Sequence, residues 1–223
     1  MKQIDWTLMT SKVLELYPQV KQIVSYRDGQ WMLLFDSEPD KFLSAFHPLT
    51  QLLRKYRLPT PLIVSRRFIL TSLDSYPLEW LDIQSDYTNL YGEDDVMATL
   101  QFGKDNVRNQ IERELRSKWI LTREYALRLN HLNRGLYRMM RSSFQALIPV
   151  FKGICFLQNV SIPKTTAQLL DSLEEILHTE VKVLRYLSAQ QKTPSRALLT
   201  NIFHDYLRLL AQCSEWIDTW KTA

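Results

Sequence analysis

Between Ser72 and Val96 the chain reads SLDSYPLEWLDIQSDYTNLYGEDDV, with seven carboxylates and no lysine or arginine. Carboxylates crowded in this way can hold a catalytic divalent cation, or can form a solvated acidic face. A second grouping follows at once. From Lys104 to Lys152 there are eleven lysines and arginines against four acids, Arg108, Arg113, Arg116, Arg123, Arg128, Arg134, Arg138 and Arg141 among them. With Trp119, Tyr125 and Tyr137 interleaved, such a set can contact phosphates and stack on rings. The simpler reading is a solvated helix face, its charge partly compensated by the acidic segment.

Other chemistries find no footing in the sequence. Five glycines in 223 residues leave almost nowhere for a glycine-rich phosphate cradle, which excludes Walker and Rossmann sites. The histidines, His47, His131, His178 and His204, lie far apart and lack the i, i+4 spacing of a helical zinc motif. There is no serine elbow and no Cys-His signature. Cys155 and Cys213 sit in apolar helical contexts and read as buried thiols of a reducing compartment, so a cytoplasmic location is expected. The N-terminal residues lack the apolar core of a signal peptide, and no apolar run approaches the roughly 18 residues of a membrane span. A membrane partner is therefore not expected. A content of 45% hydrophobic and 23% charged residues is that of a globular protein, long enough for two small domains.

The elements that must position these groups can be read from periodicity. Leu8, Met9, Val13, Leu14 and Leu16 predict a short helix over Trp6 to Leu16, stopped by Pro18. In QIVSYRDGQWMLLFD two β-prone runs flank Asp28-Gly29, a dipeptide suited to the positive φ angles of a tight hairpin. Ser37 is placed to cap a helix carrying Phe42, Phe46, Leu49, Leu53 and Tyr56, with Pro48 as a kink. PTPLIVS and PLEWLDIQ read as two strands, and on the second, alternation sends Glu79 and Asp82 to opposite faces. Gly92 to Asp95 read as a turn and an acidic helix start. Beyond Lys104 the pattern is helical. Val107, Ile111, Leu115, Trp119, Thr122, Ala126 and Leu129 trace one face of a long helix, and further helical segments follow. The expected fold class is α+β: residues 1–100 form a small mixed sheet with helices, and 101–223 an all-α helical bundle.

The succession of Ser72-Leu-Asp74, Tyr76-Pro77-Leu-Glu79-Trp-Leu-Asp82-Ile, Leu90-Tyr91-Gly92-Glu93-Asp94 and the helical NQIERELRSKWILTREYAL resembles bacterial nucleotidyltransferase-superfamily proteins. These join a polymerase-β-like palm to a C-terminal helical domain similar to that of kanamycin nucleotidyltransferases. The likeness covers roughly residues 58 to 160. It implies a palm sheet whose three carboxylates bind two magnesium ions, two of them alternating on a strand after a Gly-Ser or Gly-Gly turn. That turn and its Asp-x-Asp motif are missing here.

The remaining candidates for metal ligands are Asp36, Glu38 and Asp82, and for catalytic groups Asp82 and Glu79. Arg66, Arg67, Arg116 and Arg123 are the candidate phosphate contacts, and either Arg66 and Arg67 or the arginines of the long helix are candidate ion-pair partners for Asp82. The expected function is that of a catalytically degenerate nucleotidyltransferase-like protein, a non-enzyme that acts by ligand binding or protein interaction. No cofactor is expected, and magnesium only if the site is active. The alternatives are an active magnesium-dependent nucleotidyltransferase with an unconventional metal site, and a helical module for assembly or dimerisation. Candidate partners are a nucleotide, a second copy or another protein. RNA-cleaving toxins share a helical architecture of this general kind, but the arginine and histidine spacing they would need is absent, so ribonuclease activity is not expected; with the basic set reading as a solvated helix face, nucleic acid is not an expected partner.

Overall fold

The structure is a computed structural model that describes residues 4–27, 29–189 and 192–221. By its contacts the chain divides into two compact units, Met1–Asp74 with Ile83–Gln101, and Ser75–Asp82 with Phe102–Ala223. The class is α+β: a four-stranded mixed sheet with helices, and a C-terminal region that is helical. Among the described residues no helix is long and apolar enough to cross a membrane.

The first unit opens with α1 (Trp6–Leu16), whose N-cap Asp5 accepts the amide of Leu8 at 3.0 Å. Strands β1 (Gln22–Tyr26) and β2 (Gln30–Phe35) pair as the expected antiparallel hairpin. Its turn uses positive φ at Arg27 and Gly29, while Asp28 lies outside the described residues. Two helices follow, α2 (Phe42–Ala45) and α3 (His47–Tyr56). They correct the single helix read from the sequence: the chain breaks at Phe46, Pro48 sits in the first turn of α3, and Lys41 rather than Ser37 begins α2. Strand β3 (Leu62–Ser65) lies parallel to β2, and α4 (Arg66–Thr71) follows it directly, capped by the Ser65 hydroxyl.

The segment PLEWLDIQ is not a strand. It forms the helix α5 (Pro77–Ser85), with Pro77 as its first residue and Glu79 in its first turn. Pro77, Leu78, Trp80, Leu81, Asp82 and Ile83 are all buried, so no one-sided 3.6-residue stripe marks the helix in the sequence. The strand is YTNLY, β4 (Tyr87–Tyr91), antiparallel to β1 with a bulge between Ile23 and Val24. The sheet order is therefore β3-β2-β1-β4. Residues 31–35 of β2 are buried on both faces. Trp31, Leu33 and Phe35 join Val13, Tyr17, Phe46 and Leu49 in one core, and the Tyr17 hydroxyl donates to the Ala45 carbonyl and accepts from the Leu49 amide, each at 3.1 Å.

After β4 comes α6 (Val96–Thr99). Gly92 has φ +110°, and a Cβ there would stand 2.4 Å from the Lys21 carbonyl oxygen.

The helical unit is built on α7 (Lys104–Leu129), whose buried Val107, Ile111, Leu115, Thr122 and Ala126 are the expected inward face. Around it lie α8 (Asn133–Ala146), α9 (Ile148–Leu157), α10 (Thr166–Leu177), α11 (Lys182–Ser188) and α12 (Arg196–Thr219). Pro149 in the first turn of α9 separates it from α8, and a left-handed His178 with φ 50° ends α10. Trp216 and Trp220 are partly buried against the core of this unit. Cys155 and Cys213 are free and buried, and burial pushes their thiols up to about 11 and about 12.

Two outcomes follow from these constraints. Replacing Gly92 by alanine should cost about 2 kcal/mol, since the φ strain alone is of order 1–3 kcal/mol, read as a fall in urea-unfolding free energy. A loss below about 0.5 kcal/mol would mean that the turn relaxes freely. The thiols are neutral in the fold and ionise near pH 8.5 when unfolded. Their contribution is thus complete below that pH and is lost as pH rises toward 11 to 12. Native protein at pH 8 should resist an aromatic disulfide reagent, and a Cys155→Ala/Cys213→Ala variant should show a shallower loss of stability between pH 9 and 11.

Candidate functional site

The acidic run is held by partners one residue at a time. Asp95 caps α6, accepting the Ala98 amide at 3.2 Å, and also accepts from Gln22 at 2.7 Å and from the Tyr87 hydroxyl at 2.8 Å. Burial, then the hydrogen bond to Asp95, pushes Tyr87 up to about 12. Asp94 pairs with Arg66, the first residue of α4. The expected turn and helix start at Gly92 to Asp95 are present.

On α5, Glu79 and Asp82 are three residues apart and so share one side of the helix, contrary to the divergence expected of a strand. The Glu79 carboxylate accepts from Gln110 Nε2 at 2.7 Å, and Gln110 Oε1 accepts the Leu78 amide at 2.9 Å. A buried glutamine on α7 thereby satisfies one of the free amides in the first turn of α5. Asp82 is only 2% exposed, and its Oδ1 lies 2.9 Å from Nζ of Lys152 on α9, itself 5% exposed. The partner is thus Lys152 and not the expected arginine; it sits seventy residues away in a segment, IPVFKGICFL, that is otherwise apolar.

A two-metal centre does not fit these residues. Among the described residues none of the four strands carries an acid: they read QIVSY, QWMLLF, LIVS and YTNLY. Asp36 follows β2 and pairs with Lys21 at 3.1 Å, and Glu38 is exposed beyond it. No group of three or more His, Cys, Asp or Glu side chains among the described residues could hold a metal ion.

The candidate phosphate contacts divide by partner. Arg66 is engaged by Asp94, and Arg67 is exposed on α4. Arg116 pairs with Glu112 at 3.0 Å and Asp218 at 2.8 Å, which raise its pKa. Arg123, seven residues further along α7, has its guanidinium 4.3 Å from the centre of the Trp119 ring. It lines an open groove of about 650 Å³ between α7 and α12 together with Arg196, His204 and Arg208. Nothing in the sequence places those three beside Arg123, because they lie more than seventy residues from it and only the pairing of α7 with α12 brings them near.

Comparison with protein-family models, with curated proteins and with solved structures finds no match to this chain.

The Asp82–Lys152 pair makes a measurable demand. Asp82→Leu or Lys152→Met should each cost about 3–5 kcal/mol by removing one half of a buried ion pair, whereas the Asp82→Leu/Lys152→Met double variant should recover much of that loss. A double-mutant cycle by urea unfolding that shows simple additivity would argue against a coupled buried pair.

Proposed function

We propose that this protein is a catalytically degenerate relative of the nucleotidyltransferases that keeps a palm-like sheet and a helical partner unit and acts through binding. The proposal takes the family from the sequence resemblance. Its support from geometry is one observation: no acid stands on any of the described strands. Nucleotidyl transfer by two metal ions needs carboxylates that converge on a shared pair of cations. Asp82, the residue that best matches a third ligand of such a site, has Lys152 against it in the interior. A magnesium ion would have to displace that ammonium and open the packing around it. Buried, unpaired thiols accord with a reducing compartment such as the cytoplasm.

Purified protein given labelled nucleoside triphosphates, magnesium and a panel of hydroxyl acceptors should incorporate no label above background. Magnesium-dependent incorporation that either Asp36→Ala or Glu38→Ala abolishes would overturn the reading in favour of an active enzyme. Both residues are exposed, so their replacement tests ligation without unfolding the protein.

A further inference from the structure

We propose that the groove between α7 and α12 is a binding site for a small anion that joins a phosphate group to a flat apolar body. The proposal deepens the ligand-binding part of the function just given. It depends on that part alone, since the groove lies wholly in the helical unit.

The groove volume of about 650 Å³ falls within the roughly 300–1,000 Å³ typical of small-ligand sites. Its lining includes Arg123, Arg196, His204 and Arg208 and, among the described residues, no acid. The manner in which two of these arginines are held is the central observation. Arg196 donates to the main-chain and side-chain oxygens of Asn130 and, at 3.2 Å, to Asn133 Oδ1. Arg123 rests on the face of Trp119. Both guanidinium groups are thus fixed by neutral partners, which orient them without cancelling their charge. Arg208 is shared with Asp205 at 3.0 Å.

These three hydrogen bonds leave Arg196 with unused N–H donors out of the five a guanidinium carries. Planar forks of this kind suit the bidentate recognition of phosphate oxygens. Apart from Asn130 and Thr200 the rest of the lining is apolar, with Leu127 80% exposed and with Phe203 and Leu207 among its members. A fully charged ligand such as inorganic phosphate would leave that surface unused, and an uncharged one would leave the arginines unmatched. A nucleoside phosphate is the simplest probe that meets both.

Isothermal titration at low salt, without magnesium, should show saturable binding of AMP or ATP. Adenosine and inorganic phosphate should each bind more weakly, and affinity should fall as salt is added. Arg123→Gln and Arg196→Gln should each weaken binding about tenfold, as expected for loss of a charge-assisted contact. Arg54→Gln, an exposed position on α3, should leave it unchanged.

Absence of saturable binding at millimolar nucleotide would overturn the proposal. So would binding that both arginine variants leave intact, since it would place the site elsewhere, and so would binding to an oligonucleotide but to no mononucleotide. Magnesium-dependent label incorporation that is insensitive to Arg123→Gln would sink the degenerate-enzyme reading while leaving the groove in place.

Discussion

A lysine ammonium that has lost nearly all of its hydration must meet a negative charge or lose its proton, because the cost of an isolated buried charge is several kcal/mol. Lys152, 5% exposed on α9, meets Asp82. That requirement sets which way α5 faces, and the rest of its first turns follow. Gln110 takes the Leu78 amide and the Glu79 carboxylate, and Leu78 packs where Gly153 leaves room: a Cβ on that glycine would come within 2.4 Å of Leu78 Cδ2. The same short helix then supplies Ile83 and Gln84 to the sheet unit, Gln84 donating to the carbonyls of Met97 at 2.7 Å and Leu100 at 3.0 Å. Six of the nine residues of this helix are buried, with Glu79 its exposed position.

This explains what the sequence could and could not disclose. Where one side of an element is wet, periodicity reports it. The α7 face from Val107 to Ala126 is legible for that reason, whereas the β1–β2 hairpin, whose second strand is buried on both faces, is legible from two β-prone runs with Asp28-Gly29 between them. In α5 burial on most sides erased the period, and alternation of Leu78, Trp80 and Asp82 imitated a strand. The true strand, β4, is mostly exposed and half-buried, with Thr88, Asn89 and Tyr91 exposed, and lacks the regular alternation of apolar and polar residues that would announce it. The partners of charged residues were equally hidden. Lys152 and Asp82 are seventy residues apart, and nothing local to either names the other.

Four of the seven acids between Ser72 and Val96 meet separate local needs. Asp95 satisfies a helix start, a tyrosine hydroxyl and a buried glutamine at once. Asp94 neutralises an arginine, Asp82 a lysine, and Glu79 completes a bridge through Gln110. A metal site needs carboxylates that converge on a common point and have no nearer cation. These acids instead spread over α5 and the start of α6, with partners already in contact. Crowding in sequence is therefore a poor guide to crowding in space once a helix and a turn intervene, because each advances the chain in a different direction.

The arginines of α7 show how the same reasoning separates structural charge from available charge. Arg116 and Arg123 are seven residues apart, nearly two helical turns, and project from similar angles. Two carboxylates meet the first, so an incoming anion would compete with Glu112 and Asp218 and recover only a difference in energy. The second is held by the electron-rich face of an indole, an attraction of order 0.5–1 kcal/mol at an exposed site, which positions the guanidinium and leaves its N–H edge unmatched by any acid. An anion arriving there gains the full charge-assisted interaction with little reorganisation. Preorganisation by neutral groups is thus the feature that distinguishes the α7–α12 groove from the ion-paired surface beside it.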